Sequence, residues 1–528
     1  MAACVLAACT KVGPAASAAR HPWTVPGVLR IGSAQEPDSL NPMFGNDDAV
    51  DQVDAFLFAP LFRYGPRGEL IPELASAVPS YRNGGISRDG KTIVLHLRPG
   101  LRWSDGAPLD ARDLRFTWQA VTNPRNDVKS SAGWDEISAI ELPDRVTAVV
   151  HLKAPDASIL GIFATGGAAY PPLPAHLLAT LPDINHAPFN ADPISSGPFL
   201  LRAWHHGSSL EFSANPRYWR GPPKLRAISF RIVPNPDTLL SELATHEIDL
   251  VASVPIAQLY RLQSVAGIRV VRHLVANFRR LDLNTASPLL RDVRVRLAIA
   301  EGIDWKRMRA TVYHRLEAPA TSDIPPGSWA DPHLPPYPYD AAQPAQLLTA
   351  AGWLPGPGGI RVRDGKPLRL EVSATPIQEN EAAELQMQAD LRRIGIDLEI
   401  KNYPSSFLFA EGGPLYGGKY DLEWSIDTEA PDPDNRGSWS DRAIPPHGAN
   451  TTFLRDATVT HLADEAVRTY DRARRAALYR AEETRLHALV PAVYFYWETV
   501  VAAYNDDLDG YRPAEYITDN WNSWQWSI

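Results

Sequence analysis

The sequence contains almost no cysteine, and its only two cysteines, Cys4 and Cys9, lie within the first nine of 528 residues. The rest of the chain therefore has no disulfide and no thiolate ligand, which excludes zinc and iron-sulfur sites built on cysteine. Long apolar runs are also missing. No later window reaches the ~20 continuous apolar residues that a spanning helix needs, so we expect a soluble body.

Basic clusters are equally absent. The chain has 52 lysines and arginines against 61 acidic residues, a net charge of -9, and no basic run long enough to follow a phosphate backbone. We therefore exclude nucleic acid as a partner.

Catalytic signatures do not occur either: the sequence has no phosphate-binding G-x-x-x-x-G-K-[ST] loop, no H-E-x-x-H helix and no G-x-S-x-G elbow. The Gly-rich stretch 356–359 lacks dinucleotide-binding spacing and indicates a surface turn. His205 and His206 would point to opposite faces of a strand, which favours a solvent-exposed loop over a metal site. We predict a protein that is not an enzyme and uses no cofactor or metal.

The amino terminus carries a processing signal. Leu6-Ala7-Ala8-Cys9 resembles the lipobox of bacterial lipoproteins, in which Cys9 would become the lipidated first residue. The small, Pro-rich residues that follow have the composition of a flexible tether. We expect residues 1–27 to be a lipoprotein signal remnant and a tether.

Local patterns indicate α/β architecture. Ile93, Leu95 and Leu97 alternate with polar residues as in a half-buried strand, and Asp110 with Asp113 forms a capping box that predicts a following helix.

Two later segments repeat this architecture. An apolar helical face from Ala383 to Ile394 is followed by Gly395, which is placed to end the helix, and by a strand pattern over 396–400. Another helix is predicted over 471–489, followed by the apolar strand AVYFYW.

The order of several longer segments resembles the family 5 solute-binding proteins of bacterial ABC importers, which bind dipeptides, oligopeptides or nickel. The matching stretches occur in family order over residues 28 to 528: EPDSLNP, PELA, LRPGLRWSDGAPLDARDLRFTW, SSGPFLL, NPRYWRGPPK, HEIDL, LDLNTASPLLRDVRVRLAIAEGID, LLTAAGW, YDLEW, PDPDN and WNSWQW.

This resemblance implies an α/β, two-lobed fold of the periplasmic-binding-protein type (type II, cluster C), with a hinge between the lobes and an extra subdomain in the first lobe. The expected division is as follows: lobe I from 28–60, 185–275 and 495–528, its extra subdomain from 61–184, and lobe II from 276–494.

The resemblance also implies a function. We expect an extracytoplasmic monomer, in the periplasm or on the outer face of the cell membrane, held there by a lipid on Cys9. It would capture a peptide or similar small solute between the lobes and pass it transiently to ABC permease subunits. Nickel chelates, oligosaccharides and opine-like compounds remain alternative solutes.

Peptide-binding relatives use an aspartate to pair with the free α-amino group of the ligand, since a desolvated ammonium needs a carboxylate. In this sequence the corresponding position falls near Glu429, and the loop is one residue shorter. Glu429 or Asp427 could take this role, with Asp432 nearby; equally, the ligand could carry no amine.

Further ligand contacts are expected from aromatic rings and from the backbone. Trp424 and Trp439 flank the acidic loop, and Trp134 sits where a subdomain loop should face the cleft. Residues Asn46, Asp47 and Asp48 fall where relatives pair with an extended ligand as an added strand.

Two further stretches contain charged residues in suggestive patterns. The acidic loop 421–434 could hydrolyse a glycoside if two of its carboxylates stood 5 to 10 Å apart. Arg294 and Arg296 alternate with Val293, Val295 and Leu297, which indicates the charged face of a structural element.

Overall fold

A computed structural model describes most of the chain. The described residues are 20–45, 48–65, 68–164, 169–254, 258–313, 317–340, 342–410, 412–428, 430–513 and 520–528.

The strands of the described residues are short except for two. In chain order they are β1 (Val28–Ser33), β2 (Phe62–Tyr64), β3 (Leu70–Pro72), β4 (Thr92–His96), β5 (Ile137–Glu141), β6 (Thr147–Leu152), β7 (Phe199–His205), β8 (Ser209–Ala214), β9 (Ala227–Ile232), β10 (Leu250–Val254), β11 (Ile268–Leu283), β12 (Ala318–Pro319), β13 (Leu354–Pro355), β14 (Arg361–Arg363), β15 (Lys366–Pro367), β16 (Arg369–Ala374), β17 (Asp397–Asn402), β18 (Leu422–Thr428) and β19 (Ala492–Asn505).

The helices lie between single strands or groups of strands. They are α1 (Asp48–Leu57), α2 (Ala111–Val121), α3 (Ala175–Leu178), α4 (Pro236–Ala244), α5 (Leu259–Gln263), α6 (Val293–Gly302), α7 (Trp305–Thr311), α8 (Gln343–Ala350), α9 (Gln378–Arg393), α10 (Ser405–Leu408), α11 (Arg436–Trp439), α12 (Ala457–Val467) and α13 (Arg472–Leu489).

The fold is mixed α/β and is built on one large sheet with the strand order β17-β16-β18-β11-β19-β10-β1-β9-β8-β7, with β12 paired to β19. A separate three-stranded sheet, β4-β6-β5, lies between β3 and β7 in the chain. The predicted α/β class is therefore confirmed.

The two long strands join the halves of the large sheet. β11 and β19 pair antiparallel from Ile268 and Asn505 to Leu274 and Thr499, where the register breaks, and pairing resumes at Phe278. On one side of the break β19 pairs with β10, and on the other side β11 pairs with β18. We call β11 and β19 the hinge strands.

The apolar cores separate at the same place. One large cluster of buried side chains draws on residues between 29 and 250 and between 502 and 528, and a second on residues between 281 and 496. Each core is held by burial of apolar surface, worth about 25 cal/mol per Å². We call the two packed regions the first and second body.

The local predictions from sequence are confirmed where they rested on periodicity or capping. Asp110 accepts from the Arg112 N–H, and Asp113 accepts from the Asp110 N–H at 2.9 Å, which closes the capping box of α2. Gly395 follows α9 with a φ of 92°, a conformation that favours glycine.

The interpretation of Arg296 as part of a charged face is wrong. Its side chain is buried and donates to the carbonyl oxygens of Leu489, Val490 and Leu290. It therefore satisfies carbonyls at the end of α13 that have no partner within the helix. Arg294 is exposed and pairs with Asp292, as expected of a surface charge.

A buried carboxyl on α9 lacks the partners that a charged group would need. Asn402 donates from Nδ2 to Oε2 of the buried Glu384 at 2.9 Å. The other two polar atoms of this pair, Glu384 Oε1 and Asn402 Oδ1, are buried and without hydrogen-bond partners among the described residues. Burial raises the pKa of Glu384 to about 7. A protonated carboxyl can be buried here at lower cost than a carboxylate, which would leave a charge without a compensating donor on Oε1.

We expect Glu384→Gln to stabilise the protein at alkaline pH. Glu384 holds its proton more tightly in the folded state, with a pKa of about 7 against a usual 4.5, so its contribution to stability is full below pH 4.5 and is lost as the pH rises through 7. Glutamine cannot ionise. The variant should match the parent at pH 5 and exceed it by roughly 2–3 kcal/mol at pH 8.5 in urea unfolding.

Glu379→Gln, an exposed neighbour on the same helix, is the matched control and should change stability little at either pH. Equal pH dependence in the parent and Glu384→Gln would show that Glu384 is ionised in the folded protein.

Candidate functional site

The carboxyl ends of the parallel strands in both bodies point at the middle of the hinge strands. β1, β9 and β10 are parallel, and β10 ends at Val254, opposite Val501 of β19. β16, β17 and β18 are also parallel, and β18 ends at Thr428, opposite Asn277 of β11.

These two sets of ends reach hinge positions that are close together. Phe278, next to Asn277, pairs with Trp497, which lies four residues from Val501 on β19, or about 13 Å along the strand. Ligands of open α/β sheets bind outside the carboxyl ends of the strands. We therefore place the candidate site where both sets of ends meet and call it the strand-end site.

Polar side chains cross the hinge at this point. Thr428 donates to Asn277 Oδ1 at 2.8 Å, and Asn277 Nδ2 donates to Glu498 Oε2 at 2.9 Å. The three residues come from β18, β11 and β19. The strand-end site thus contains an acidic group held by a hydrogen-bond chain that links all three strands.

Beside this chain of hydrogen bonds, a single arginine lies among three carboxyl groups. The buried Arg280 forms ion pairs of 2.7 Å with Asp282 and with Asp427. Glu423 lies directly across from Asp282 in the register of β11 and β18, and burial raises the pKa of both carboxyls. The cluster therefore has more acidic groups than its one guanidinium can neutralise.

Asp427 is the member of this cluster that reaches solvent. Its side chain is 42% exposed, and its Oδ2 is the atom paired with Arg280. It sits one residue before the end of β18. Among the acidic ligand candidates whose side chains the structure describes, Asp427 is thus the one that lies at the strand-end site with accessible surface.

The three tryptophans predicted to contact the ligand lie in cores. Trp134 packs against Phe163 and Tyr170 with no exposed surface. Trp424 is equally buried under the second-body sheet, beside Trp305.

Trp439 is buried as well, and its Nε1 donates to Asp323 Oδ2 at 2.6 Å. A fully buried ring gains most of its free energy from packing. Ligand contact by the three tryptophans stays a prediction that this packing does not support.

Asp432 forms a bidentate ion pair with an arginine. Arg475 donates to both oxygens of Asp432 at 2.6 Å. Bidentate pairs of this kind fix geometry as well as charge. An aspartate held in this way is a poor acid or base, which weighs against the glycoside hydrolase interpretation of the loop 421–434.

Some predicted site residues cannot be placed. Asn46, Asp47, Glu429 and Cys9 lie outside the described residues, and Asp48 is described only as the first residue of α1. Their predicted roles stay predictions.

The two bodies also touch away from the hinge. Arg436 forms an ion pair with Asp156 at 3.1 Å, and Ser158 donates to Asp434 Oδ2 at 2.9 Å. The Ala157 N–H donates to the Val467 carbonyl at 2.6 Å. Residues 156–158 follow β6 of the small sheet, whereas their partners belong to the second body. We call this set the interbody contact.

Tyr470 completes the interbody contact. Its hydroxyl lies 2.8 Å from the Asp156 carbonyl oxygen and 2.9 Å from that of Gly90, and it donates to one at a time. Gly90 has a φ of +70°, and a Cβ there would lie 2.8 Å from the Tyr470 ring. Any larger residue would push the bodies apart.

Sequence reasoning missed the interbody contact. Within the PDPDN stretch, residues 431–435, the sequence predicts a ligand contact for Asp432 and none for Asp434, and it is Asp434 that faces Ser158 across the contact. Partners 276 residues apart leave no local spacing to detect.

A cavity of about 310 Å³ lies elsewhere in the second body. Its walls include Asn284, Glu371 and Asp421. Asp421 precedes β18, so the cavity is at the end of that strand remote from the hinge. We place the candidate site where the strand ends converge. This cavity is not part of that site, because it lies at the opposite end of β18.

None of the described helices combines the length and apolar character needed to cross a bilayer.

Comparison with known proteins agrees with this geometry. Residues 69–443 match the model of the bacterial extracellular solute-binding proteins, family 5 (middle region). The chain is 24% identical over 501 residues to the oligopeptide-binding protein AppA of Bacillus subtilis, covering 92% of this chain and 89% of that protein. It is 27% identical over 455 residues to the nickel-binding periplasmic protein of Escherichia coli, covering 82% of each.

Among solved structures, AppA of Bacillus subtilis in complex with a nonapeptide superimposes with a TM-score of 0.76 at 21% identity, covering 94% of this chain and 98% of that one. This structure shares the fold.

Proposed function

This chain belongs to family 5 of the bacterial extracellular solute-binding proteins, and we propose that it captures a peptide or similar small solute between two lobes and presents it to the permease of an ABC importer. The observation that carries the proposal is the meeting of both sets of strand ends over the hinge strands. A solute bound there would touch both bodies at once.

The two bodies correspond in this proposal to the two lobes. Lobe I takes residues 28–60, 185–275 and 495–528, its extra subdomain 61–184, and lobe II 276–494. The register break between Leu274 and Phe278 and the separation of the two apolar cores support these boundaries.

Closure in this proposal is rotation about the hinge strands. The interbody contact joins the extra subdomain to lobe II, so its hydrogen bonds exist only when the lobes are together. A ligand shifts the population toward that form if it binds the closed state better than the open one. No bond of the solute is made or broken.

A peptide is the solute that the site chemistry favours. The acidic excess around Arg280 suits a cationic group, and the exposed carboxylate of Asp427 can accept hydrogen bonds from an α-ammonium. Glu429, two residues on, is the second carboxylate proposed for this role. The oligopeptide-binding relative supports a peptide, and the nickel-binding relative keeps a metal chelate as the alternative.

The proposal places the protein outside the cytoplasm, as the family description states for its members. A lipid on Cys9 would hold it at the membrane as a monomer, with the residues before His21 as a tether. The expected tether boundary at residue 27 is too late, because the His21 N–H and the Thr24 hydroxyl donate to Asp507 and the Gly27 N–H donates to the Ile528 carbonyl. The permease subunits would be transient partners.

Free-amine peptides are expected to raise the melting temperature, whereas their N-acetylated forms are not. A ligand that binds only the folded state stabilises by RT ln(1 + [L]/Kd). Thermal-shift measurements on di- to pentapeptides should show this, and Asp427→Asn or Glu429→Gln should weaken binding at least tenfold.

Glu399→Gln, which removes an exposed carboxylate on β17, is the control and should bind as the parent does. Equal binding of acetylated peptides would refute the amine anchor. Stabilisation by nickel chelates alone would favour the alternative solute.

Removing the interbody contact is expected to weaken binding without touching the strand-end site. The double variant Asp156→Asn and Tyr470→Phe loses an ion pair and one hydrogen bond of the closed form, so a smaller fraction of molecules is competent to bind. We expect roughly tenfold weaker affinity by calorimetry for the most stabilising peptide.

Asp464→Asn removes an ion pair of α12 that lies within lobe II and serves as the control. X-ray scattering should show a larger mean radius for the double variant. Unchanged affinity and scattering would mean that the contact plays no part in closure.

Cys9→Ser is expected to abolish lipid attachment. Labelling with radioactive palmitate in a bacterial host should mark the parent and Cys4→Ser but not Cys9→Ser. Label on both variants, or on neither, would contradict anchoring at Cys9.

A further inference from the structure

Three metal-binding side chains meet at the outer end of the hinge strands. The ligand atoms of His21, Asp506 and Asp507 all lie within 4.8 Å of one another. His21 Nε2 is 2.6 Å from Asp506 Oδ1. In the described part of the chain, this is the one group of three histidine, cysteine or acidic side chains with such spacing.

The imidazole is held in place by stacking. The ring of His21 lies parallel to that of Trp23 at 4.4 Å, and the other face of Trp23 stacks on His246 at 3.9 Å. Gly267 packs against this stack, and a Cβ there would lie 2.8 Å from Trp23 and 3.2 Å from His21 Nε2. The position of Nε2 is therefore fixed by packing before any ion arrives.

Hydrogen bonds hold the Asp507 carboxylate and the main chain of Asp506 in place. Asp507 Oδ2 accepts from the His21 N–H at 2.8 Å and from the Thr24 hydroxyl at 2.6 Å. The Asp506 N–H donates to the Gly267 carbonyl at 2.9 Å. Partners that orient the ligands in this way raise metal affinity.

The site is also accessible, since the side chains of His21 and Asp506 are 31% and 40% exposed. Zinc bonds of ~2.1 Å at tetrahedral angles place ligand atoms about 3.4 Å apart, so His21 and Asp506 need to separate by less than about 1 Å. One imidazole and two carboxylates suit borderline divalent ions such as Zn²⁺, with water in the remaining position.

We propose that His21, Asp506 and Asp507 form a binding site for a divalent transition-metal ion. The ion would join residues 485 positions apart and fasten the beginning of the folded body to the end of β19. Residues 1–19 precede this point, so the ion would close the junction between the proposed tether and lobe I.

This site is separate from the strand-end site. Asn505, which precedes Asp506, lies seven residues along β19 from Glu498, or roughly 23 Å. The proposal therefore does not depend on the solute that the protein carries.

The test is a titration of the full chain with Zn²⁺ and with Co²⁺, by calorimetry and by absorption. Cys4→Ser and Cys9→Ser are present in every sample, so that thiols do not bind the metal. We expect one ion per chain, a raised melting temperature and a cobalt d–d spectrum. His21→Gln and Asp506→Asn should each weaken binding at least tenfold and remove that spectrum.

His176→Gln is the matched control. His176 faces Asp105 at 2.9 Å with 34% and 35% exposure, which resembles the pair of His21 and Asp506 without the third ligand. It should leave the titration unchanged. Circular dichroism shows whether each variant is folded. If His21→Gln fails to fold, Asp506→Asn, which preserves the shape of the side chain, still tests the proposal.

Absence of a one-ion transition in the parent would overturn the proposal and leave an ion pair between His21 and Asp506. Equal binding by the parent, His21→Gln and Asp506→Asn would overturn it too. Peptide binding, measured on the same samples, reports separately on the proposed transport function.

Discussion

The antiparallel pairing of two long strands is the constraint on which the rest of the structure depends. β11 and β19 are the strands shared by both bodies, so each body builds its own sheet outward from one end of the pair. Parallel strands added to each end then have their carboxyl ends directed toward the middle. The break in register after Leu274 interrupts the ladder at this point and provides the place where the pair can bend.

The charged cluster beside the hinge lowers the stability of the folded protein, and its position at the strand-end site explains why such a cluster is present. Arg280, Asp282 and Glu423 are buried; burial, and after it the neighbouring carboxylates, raises the pKa of Asp282 and Glu423, and burying these groups is unfavourable for folding. Replacing such a cluster with apolar residues often stabilises a protein. The cluster extends to the half-exposed Asp427, whose carboxylate lies at the strand-end site and is the group that the proposed binding of an α-ammonium uses.

The sequence predicted the parts of this structure that are set by neighbours along the chain. Periodicity and capping located β4, α2, α9 and the strand after Gly395, because these depend on side chains within one or two turns. The family resemblance supplied the two-lobed fold. Contacts between side chains that are far apart in the sequence could not be predicted from periodicity or capping.

Arg296 illustrates why. Its alternation with Val295 and Leu297 indicates a charged face, but its guanidinium meets carbonyls at the end of a helix almost two hundred residues later. The tryptophans show the same limit, since an aromatic ring next to an acidic loop can equally well enter the core. In the sequence Asp434 is one of several acidic residues in the loop. Its role in the interbody contact is visible only in the structure, where the Ser158 hydroxyl of the other body donates to it.

In the proposed closing motion, the balance between open and closed forms follows from the kinds of bonds at the interbody contact. Among the described residues it includes the ion pair between Arg436 and Asp156 and hydrogen bonds that are each worth about 0.5–1.5 kcal/mol net, and the Tyr470 ring packs edge-on against Tyr81. Such a contact holds the bodies in one orientation without making closure strongly favourable. The hydrogen-bond chain through Asn277 and the carboxylate of Asp427 lie between the bodies, where a solute can add its own contacts. In that proposal, a ligand that binds the closed form about 2–3 kcal/mol better than the open form shifts the population toward closure, and the same small difference would let the lobes separate when the ligand leaves.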